Sequence, residues 1–288
     1  MHNRFVRILI WLGIMAVLSL IAMAVWAVAT GGSQTTESLK WLQFLQTLGT
    51  FLLPPIFCAW LWDEKRKPLC WLKLNKGTDP VLFLLAVGIM VCAMPGINLM
   101  ADLNGRIELP ECLDSIEQKM RAMEATAAAL TERFLQADSI GTFLINIGLL
   151  ALLPALAEEL SFRGTLQQII SYNPQDGPTA QRSSIAIWAT AILFSAIHMQ
   201  FYGFIPRMFM GAAFGYLFLW SGTLWIPVLM HFTNNSLAVL AAFSIQHSAF
   251  STNIADTIGA GETWWLGVLS LIITSLGLLI FYRRTHRQ

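Results

Sequence analysis

The chain has 288 residues, 56% of them hydrophobic and only 12% charged, with a formal net charge of +1. A soluble domain of that length carries about 25% charged residues. The near-neutral balance, without a basic patch, excludes nucleic acid as a partner, and apolar residues gathered in long blocks with the charges between them are what a lipid bilayer selects.

A helix needs about 20 mainly apolar residues to cross a bilayer. Eight blocks reach or approach that length: residues 5–30, 41–62, 81–101, 140–157, 184–198, 204–219, 224–243 and 264–282. They predict an all-α fold, a polytopic membrane helix bundle of about eight transmembrane helices. The first block has Arg4 and Arg7 in front of it, but its apolar run exceeds the roughly 7–15 residues of a signal-peptide core, so it reads as a retained span. The third loop, residues 102–139, is the one long polar insertion. Within it Leu113, Ile116, Met120, Met123, Ala127, Leu130 and Phe134 recur at steps of three and four. That spacing predicts an amphipathic helix resting on the bundle or the interface, opened by a Ser115–Gln118 capping box. About two thirds of the 18 Lys and Arg lie in the segments on the N-terminal side of the membrane, which places both termini in the cytoplasm. The four cysteines form no CxxC pair and read as small apolar residues.

The informative residues are ionisable groups inside apolar helices. Each costs about 2.5–3.5 kcal/mol at mid-membrane on insertion scales, so they face a polar interior and do work there. Glu158 and Glu159 end an apolar run. Consecutive helical residues point about 100° apart, and Arg163 stands four residues after Glu159 on the same face. Arg163 is therefore expected to neutralise and orient Glu159, leaving Glu158 to face a cavity as a general base. Phe194 and His198 share a face in the fifth block. In the seventh, His231 and Asn235 share a stripe suited to stabilising an oxyanion, with Asn234 beside them. Simple hydrogen-bonded packing is the alternative for each histidine.

These side chains can meet only if the fourth helix continues past its apolar part to about Tyr172 and the fifth starts near Pro178. Glu158 and His231 then lie at similar depth, with His198 somewhat deeper. Pro154 and Pro227, each four residues before a candidate side chain, are expected to kink their helices. Gly211 and Gly215 form a GxxxG, a signal of close helix packing.

The Glu158-Glu159-xxx-Arg163, Phe194-xxx-His198 and His231-xxx-Asn235 patterns together resemble the three motifs of the CPBP (ABI) family of intramembrane peptidases, related to the type II CAAX prenyl endopeptidases. The resemblance covers residues 139–244 and implies a catalytic core there. Residues 1–138 are then the N-terminal transmembrane helices with the amphipathic loop, and 245–288 the last span with a basic tail. It implies an endopeptidase of the bacterial inner membrane acting on a membrane-associated protein or peptide, with the bilayer and that substrate as partners. Glu158 and His198 would activate a water, His231 and Asn235 would hold the oxyanion, and Glu159 and Arg163 would support them. The family is often labelled metalloprotease, which leaves open a zinc ion on Glu158, His198 and His231. The alternative functions are a non-catalytic scaffold or bacteriocin-immunity-type protein on the same fold, and a proton-coupled transporter.

Overall fold

The computed structural model describes residues 3–63, 67–172, 179–247 and 258–287, and every regular element among them is helical. In chain order these are α1 (Arg4–Thr30), α2 (Thr36–Trp62), α3 (Pro80–Gly105), α4 (Asp114–Leu135), α5 (Ile140–Ser171), α6 (Ala180–Ala196), α7 (Phe204–Ser221), α8 (Trp225–Gln246) and α9 (Trp264–Thr285), with shorter turns between some of them. Thr35, Asp79, Ser139 and Thr179 begin α2, α3, α5 and α6 by accepting a backbone N–H from the first turn, which is what short oxygen-bearing side chains do at a helix start. Gly31 ends α1 in the left-handed region, φ 61°.

Among the described residues six helices are long and apolar enough to cross a membrane: α1, α2, α3, α5, α8 and α9 with its leading turn from Gly261. The helices expected as the fifth and sixth spans, α6 with 17 residues and α7 with 18, are not among those six. Large apolar side chains such as Leu20, Val28, Leu84 and Ile145 stand exposed on the flanks of these helices. Such surfaces are stable against acyl chains and not against water, so the chain is an integral membrane protein.

The helices run back and forth between two ends, each pinned by polar contacts. At one end Arg284 pairs with Asp79 at 2.6 Å, Leu224 N donates to Lys73 O at 3.1 Å and Arg4 Nη1 to Ile170 O at 3.2 Å. At the other, Arg133 Nε donates to Thr36 Oγ1 at 2.6 Å and Gln246 Nε2 to Asp138 Oδ1 at 2.9 Å. A core of Leu82, Ala86, Met90, Phe214, Leu217, Ile226, Met230 and Phe281 joins α3, α7, α8 and α9.

The fourth helix does continue beyond its apolar run, to Ser171, and α6 begins at Ala180; Pro178 lies outside the described residues. Pro154 follows a π-helical segment, Ile147–Leu152, and Pro54 likewise follows Thr47–Leu52. A widened turn supplies the space that a proline ring takes from the carbonyl four residues back. Pro227 differs from expectation: it lies in the first turn of α8, where no backbone bond is lost and no kink follows. The capping box is also absent. α4 begins at Asp114, ahead of the expected cap and behind a 3-10 turn at Glu111–Leu113, so Ser115 lies inside the helix. The start is held instead by Glu117, which accepts from Leu109 N at 2.7 Å. That donor, with Arg121 beside it, holds the Glu117 carboxyl below the usual carboxylate range.

Gly211 and Gly215 bring α7 against α5 and α6. A Cβ on Gly215 would lie 2.8 Å from Gln167 Oε1 and 2.9 Å from Ile187 Cγ2. Gly215→Leu is therefore expected to destabilise the bundle by about 1–3 kcal/mol, read as a lower denaturation midpoint in detergent, whereas Gly88→Leu, with nothing within 4 Å of its Cβ, should leave the midpoint in place.

Candidate active site

Arg163, Gln167 and Glu159 project from one stripe of α5 towards the backbone of α7 that the two glycines lay bare. Arg163 Nη1 donates to Glu159 Oε1 at 2.7 Å and Nη2 to Gly211 O at 2.8 Å, while Gln167 Nε2 donates to Gly215 O at 3.1 Å. Glu159 and Arg163 are completely buried. A third π-helical segment, Phe162–Gln167, carries Arg163; such widened turns recur at functional sites.

His231 enters from α8. Its Nδ1 lies 2.9 Å from the same Glu159 Oε1, and because a carboxylate only accepts, Nδ1 carries the proton. In the neutral ring Nε2 is then an acceptor. It faces Glu158 Oε2 at 4.0 Å, a carboxylate whose side chain is 15% exposed and whose Oε2 has no hydrogen-bond partner among the described residues. Glu158 lies 13 residues from the Ser171 end of α5 and His231 six from the Trp225 end of α8. These are about 20 Å and 9 Å of helix, and the overhang of α5 accounts for the difference.

Phe194 is the common neighbour of the three motifs. Its ring centroid is 5.1 Å from that of His198, 5.9 Å from that of His231, and 4.7 Å from the Arg163 Cζ. Phe214 closes the opposite side, 5.5 Å from His231 and 5.4 Å from the Arg163 Cζ. His198 follows the last turn of α6 and gives its Nδ1 proton to Phe194 O at 2.7 Å, so it too presents an acceptor at Nε2. Asn235 accepts from Asn234 Nδ2 at 3.1 Å through its Oδ1, which leaves its own amide N–H groups to donate.

The turn after His198 is tightly held. Ser195 Oγ donates to Phe204 O at 2.7 Å, Asn104 of α3 bonds Phe201 O at 3.0 Å and Ile205 N at 2.8 Å, and Arg207 Nη2 donates to Gln200 Oε1 at 2.6 Å. Met199 adopts φ 53°, a left-handed conformation that costs a non-glycine residue about 1–2 kcal/mol. Its side chain is 51% exposed and forfeits little if removed. Met199→Gly is expected to raise the denaturation midpoint by relieving that strain, without moving any site distance.

Arg207 and Asn104 are contributors the motif reading did not single out. Arg207 had a signal, a lone cation within an apolar block; Asn104 had none, because it acts through backbone atoms of a distant segment. Zinc would need about three N or O ligands at 2.0–2.2 Å around one point. Among the described residues no three His, Cys, Asp or Glu side chains are grouped to hold a metal ion, and the 4.0 Å gap between Glu158 and His231 is wider than two ligands of one tetrahedral ion allow. The Glu158, His198 and His231 set does not fit a zinc ion in this arrangement. A cavity of about 680 Å³ opens at the Ser171 end, lined among others by Arg7, Trp62, Lys73, Gln167, Tyr172 and Ser183. None of the six candidate side chains lines it; Gln167, two turns from Glu159 on the same stripe, does.

Residues 140–237 match the family model described as type II CAAX prenyl endopeptidase Rce1-like. The uncharacterized protein YpbD of Bacillus subtilis (strain 168) is 30% identical over 91 residues, which cover 30% of this chain and 40% of that protein. No solved structure matches. The segment so matched carries Glu158, Glu159, Arg163, His198, His231 and Asn235, and in that segment the chain is similar to the type II CAAX prenyl endopeptidase Rce1-like family.

Proposed function

We propose that the chain is an intramembrane endopeptidase, with residues 139–244 as its catalytic core, acting in a bacterial inner membrane with both termini in the cytoplasm. It hydrolyses a peptide bond of a membrane-associated protein or peptide, lipidated ones included. The observation that carries this reading is the chain of contacts Arg163–Glu159–His231, ending 4.0 Å from the unpartnered oxygen of Glu158. Arg163 fixes Glu159, Glu159 fixes the His231 tautomer, and the attacking water of this reading is the one that would bond both Nε2 and Oε2 across that 4.0 Å separation.

Glu158 takes the proton of that water as its oxygen bonds to the scissile carbonyl carbon. The carbonyl becomes a tetrahedral oxyanion, which the Asn235 amide receives. Glu158 then returns the proton to the amide nitrogen as the C–N bond breaks. His231 Nε2 accepts the second water hydrogen and aligns the attacking lone pair; as an imidazolium it would donate to the oxyanion instead. In this reading His198, whose ring shares Phe194 with that of His231, accepts from the substrate through Nε2.

The test compares membrane-protein fragments, by mass spectrometry, from cells carrying the intact chain and cells carrying Glu158→Ala at equal abundance. Fragments present only with the intact chain support hydrolysis. Identical fragment sets accompanied by an unchanged phenotype would favour the scaffold reading.

A further inference from the structure

Arg207 stands one turn before Gly211 on α7. Gly211 O receives Arg163, and Phe214, farther along the helix, packs on His231. The face that begins with Arg207 is thus the face that closes the site, and Arg207 continues it towards the His198 turn. Its guanidinium is anchored there by Gln200, two residues after His198, through Nη2 to Oε1 at 2.6 Å and a longer contact from Nη1 to the backbone oxygen at 3.5 Å. Gly203 makes room for it: a Cβ there would lie 3.0 Å from Arg207 Nη2.

The guanidinium is only partly accessible. Glu158 of α5 and Glu124 of α4 lie within electrostatic reach of it, and so does His198. Neither carboxylate comes within ion-pair contact of it among the described residues. A cation largely out of water without a contacting anion is costly to keep and marks a functional position. Gln200 uses one edge of the guanidinium, and the planar fork of an arginine binds a carboxylate through two parallel N–H groups.

We propose that Arg207 is the anion-recognition residue of this site, receiving a carboxylate of the bound peptide beside Glu158 and His198. The assignment rests on the peptidase reading for its meaning, yet it is testable without turnover. Gln200 sets the direction of the guanidinium, and the nearby negative charge of Glu158 keeps an anion on the Arg207 side, away from the attacking water. A peptide whose terminal carboxylate pairs with Arg207 would enter in one orientation, so that residue selects which bond reaches Glu158.

The experiment uses the full chain in lipid nanodiscs, in a Glu158→Gln background so that the peptide survives. The probe is fluorescently labelled N-palmitoyl-pentaalanine, as the free acid and as the C-terminal amide. The acid is expected to bind about tenfold more tightly than the amide, a difference of about 1.4 kcal/mol. Arg207→Gln should erase the difference, and Arg207→Lys should keep part of it, since the charge remains but the fork is lost. Because acid and amide are compared within one variant, a change in the folded fraction cancels. Equal binding of acid and amide before the Arg207 change, persistence of the preference in Arg207→Gln, or loss of both ligands in that variant would each overturn the assignment. The fragment comparison with Glu158→Ala fails independently, so the two proposals can be told apart.

Discussion

Glu159→Ala is expected to destabilise the protein by about 3–5 kcal/mol, the cost of leaving one partner of a buried ion pair alone. Arg163 and Glu159 are both fully excluded from solvent, with Nη1 to Oε1 at 2.7 Å. The pair is joined by one direct bond, and among the described residues Arg163 Nε and Glu159 Oε2 have no partner. The remaining support comes from Gly211 O on the arginine and His231 Nδ1 on the carboxylate. Removing the carboxylate therefore strands a guanidinium and releases a histidine together. Glu159→Gln keeps an acceptor at the same place and removes only the charge, so its loss should be smaller. Thermal denaturation in detergent would order the three as unaltered chain, Glu159→Gln, Glu159→Ala; an Ala variant as stable as the unaltered chain would mean that the pair does not organise the core. The same series should lower turnover even where the fold survives, because His231 loses the partner that fixes its tautomer.

Much of this arrangement is legible in the sequence, for identifiable reasons. Glu159 and Arg163 sit four apart on an apolar helix, where helical geometry alone brings them into contact. The Gly211–Gly215 spacing announces close approach, although not its chemical use, which is to bare two carbonyls to Arg163 and Gln167. What the sequence hides is set by tertiary geometry. The direction of His231 Nδ1 towards Glu159 depends on the relative rotation of α5 and α8, which no periodicity reports. Pro227 looks like a kink because it precedes His231 by four, yet the helix begins only two residues before it. Ser115 and Gln118 have capping-box spacing, but a 3-10 turn at Glu111–Leu113 starts the coil earlier. The hold of Asn104 on the His198 turn spans about a hundred residues and has no sequence signature.

Glu158→Gln is expected to lower kcat by roughly 10²–10⁴-fold, the usual worth of a general base, with KM little changed because the amide keeps the size and position of the carboxylate. The fold should not suffer. Glu158 Oε2 is a buried oxygen without a partner, so removing its charge relieves a desolvation cost, and the denaturation midpoint is expected to stay level or rise. Loss of activity with retained stability is the mark of a group held for chemistry at the expense of packing. His231→Gln should produce a loss of similar size, since the attacking water needs both Nε2 and Oε2. The decisive comparison is the double variant. If one water is shared across the 4.0 Å gap, either single change already disables it, and the double variant should be no slower than the worse single one. Rate losses that multiply would mean that Glu158 and His231 act on separate steps, and the shared-water geometry would have to be abandoned in favour of His231 acting on the oxyanion.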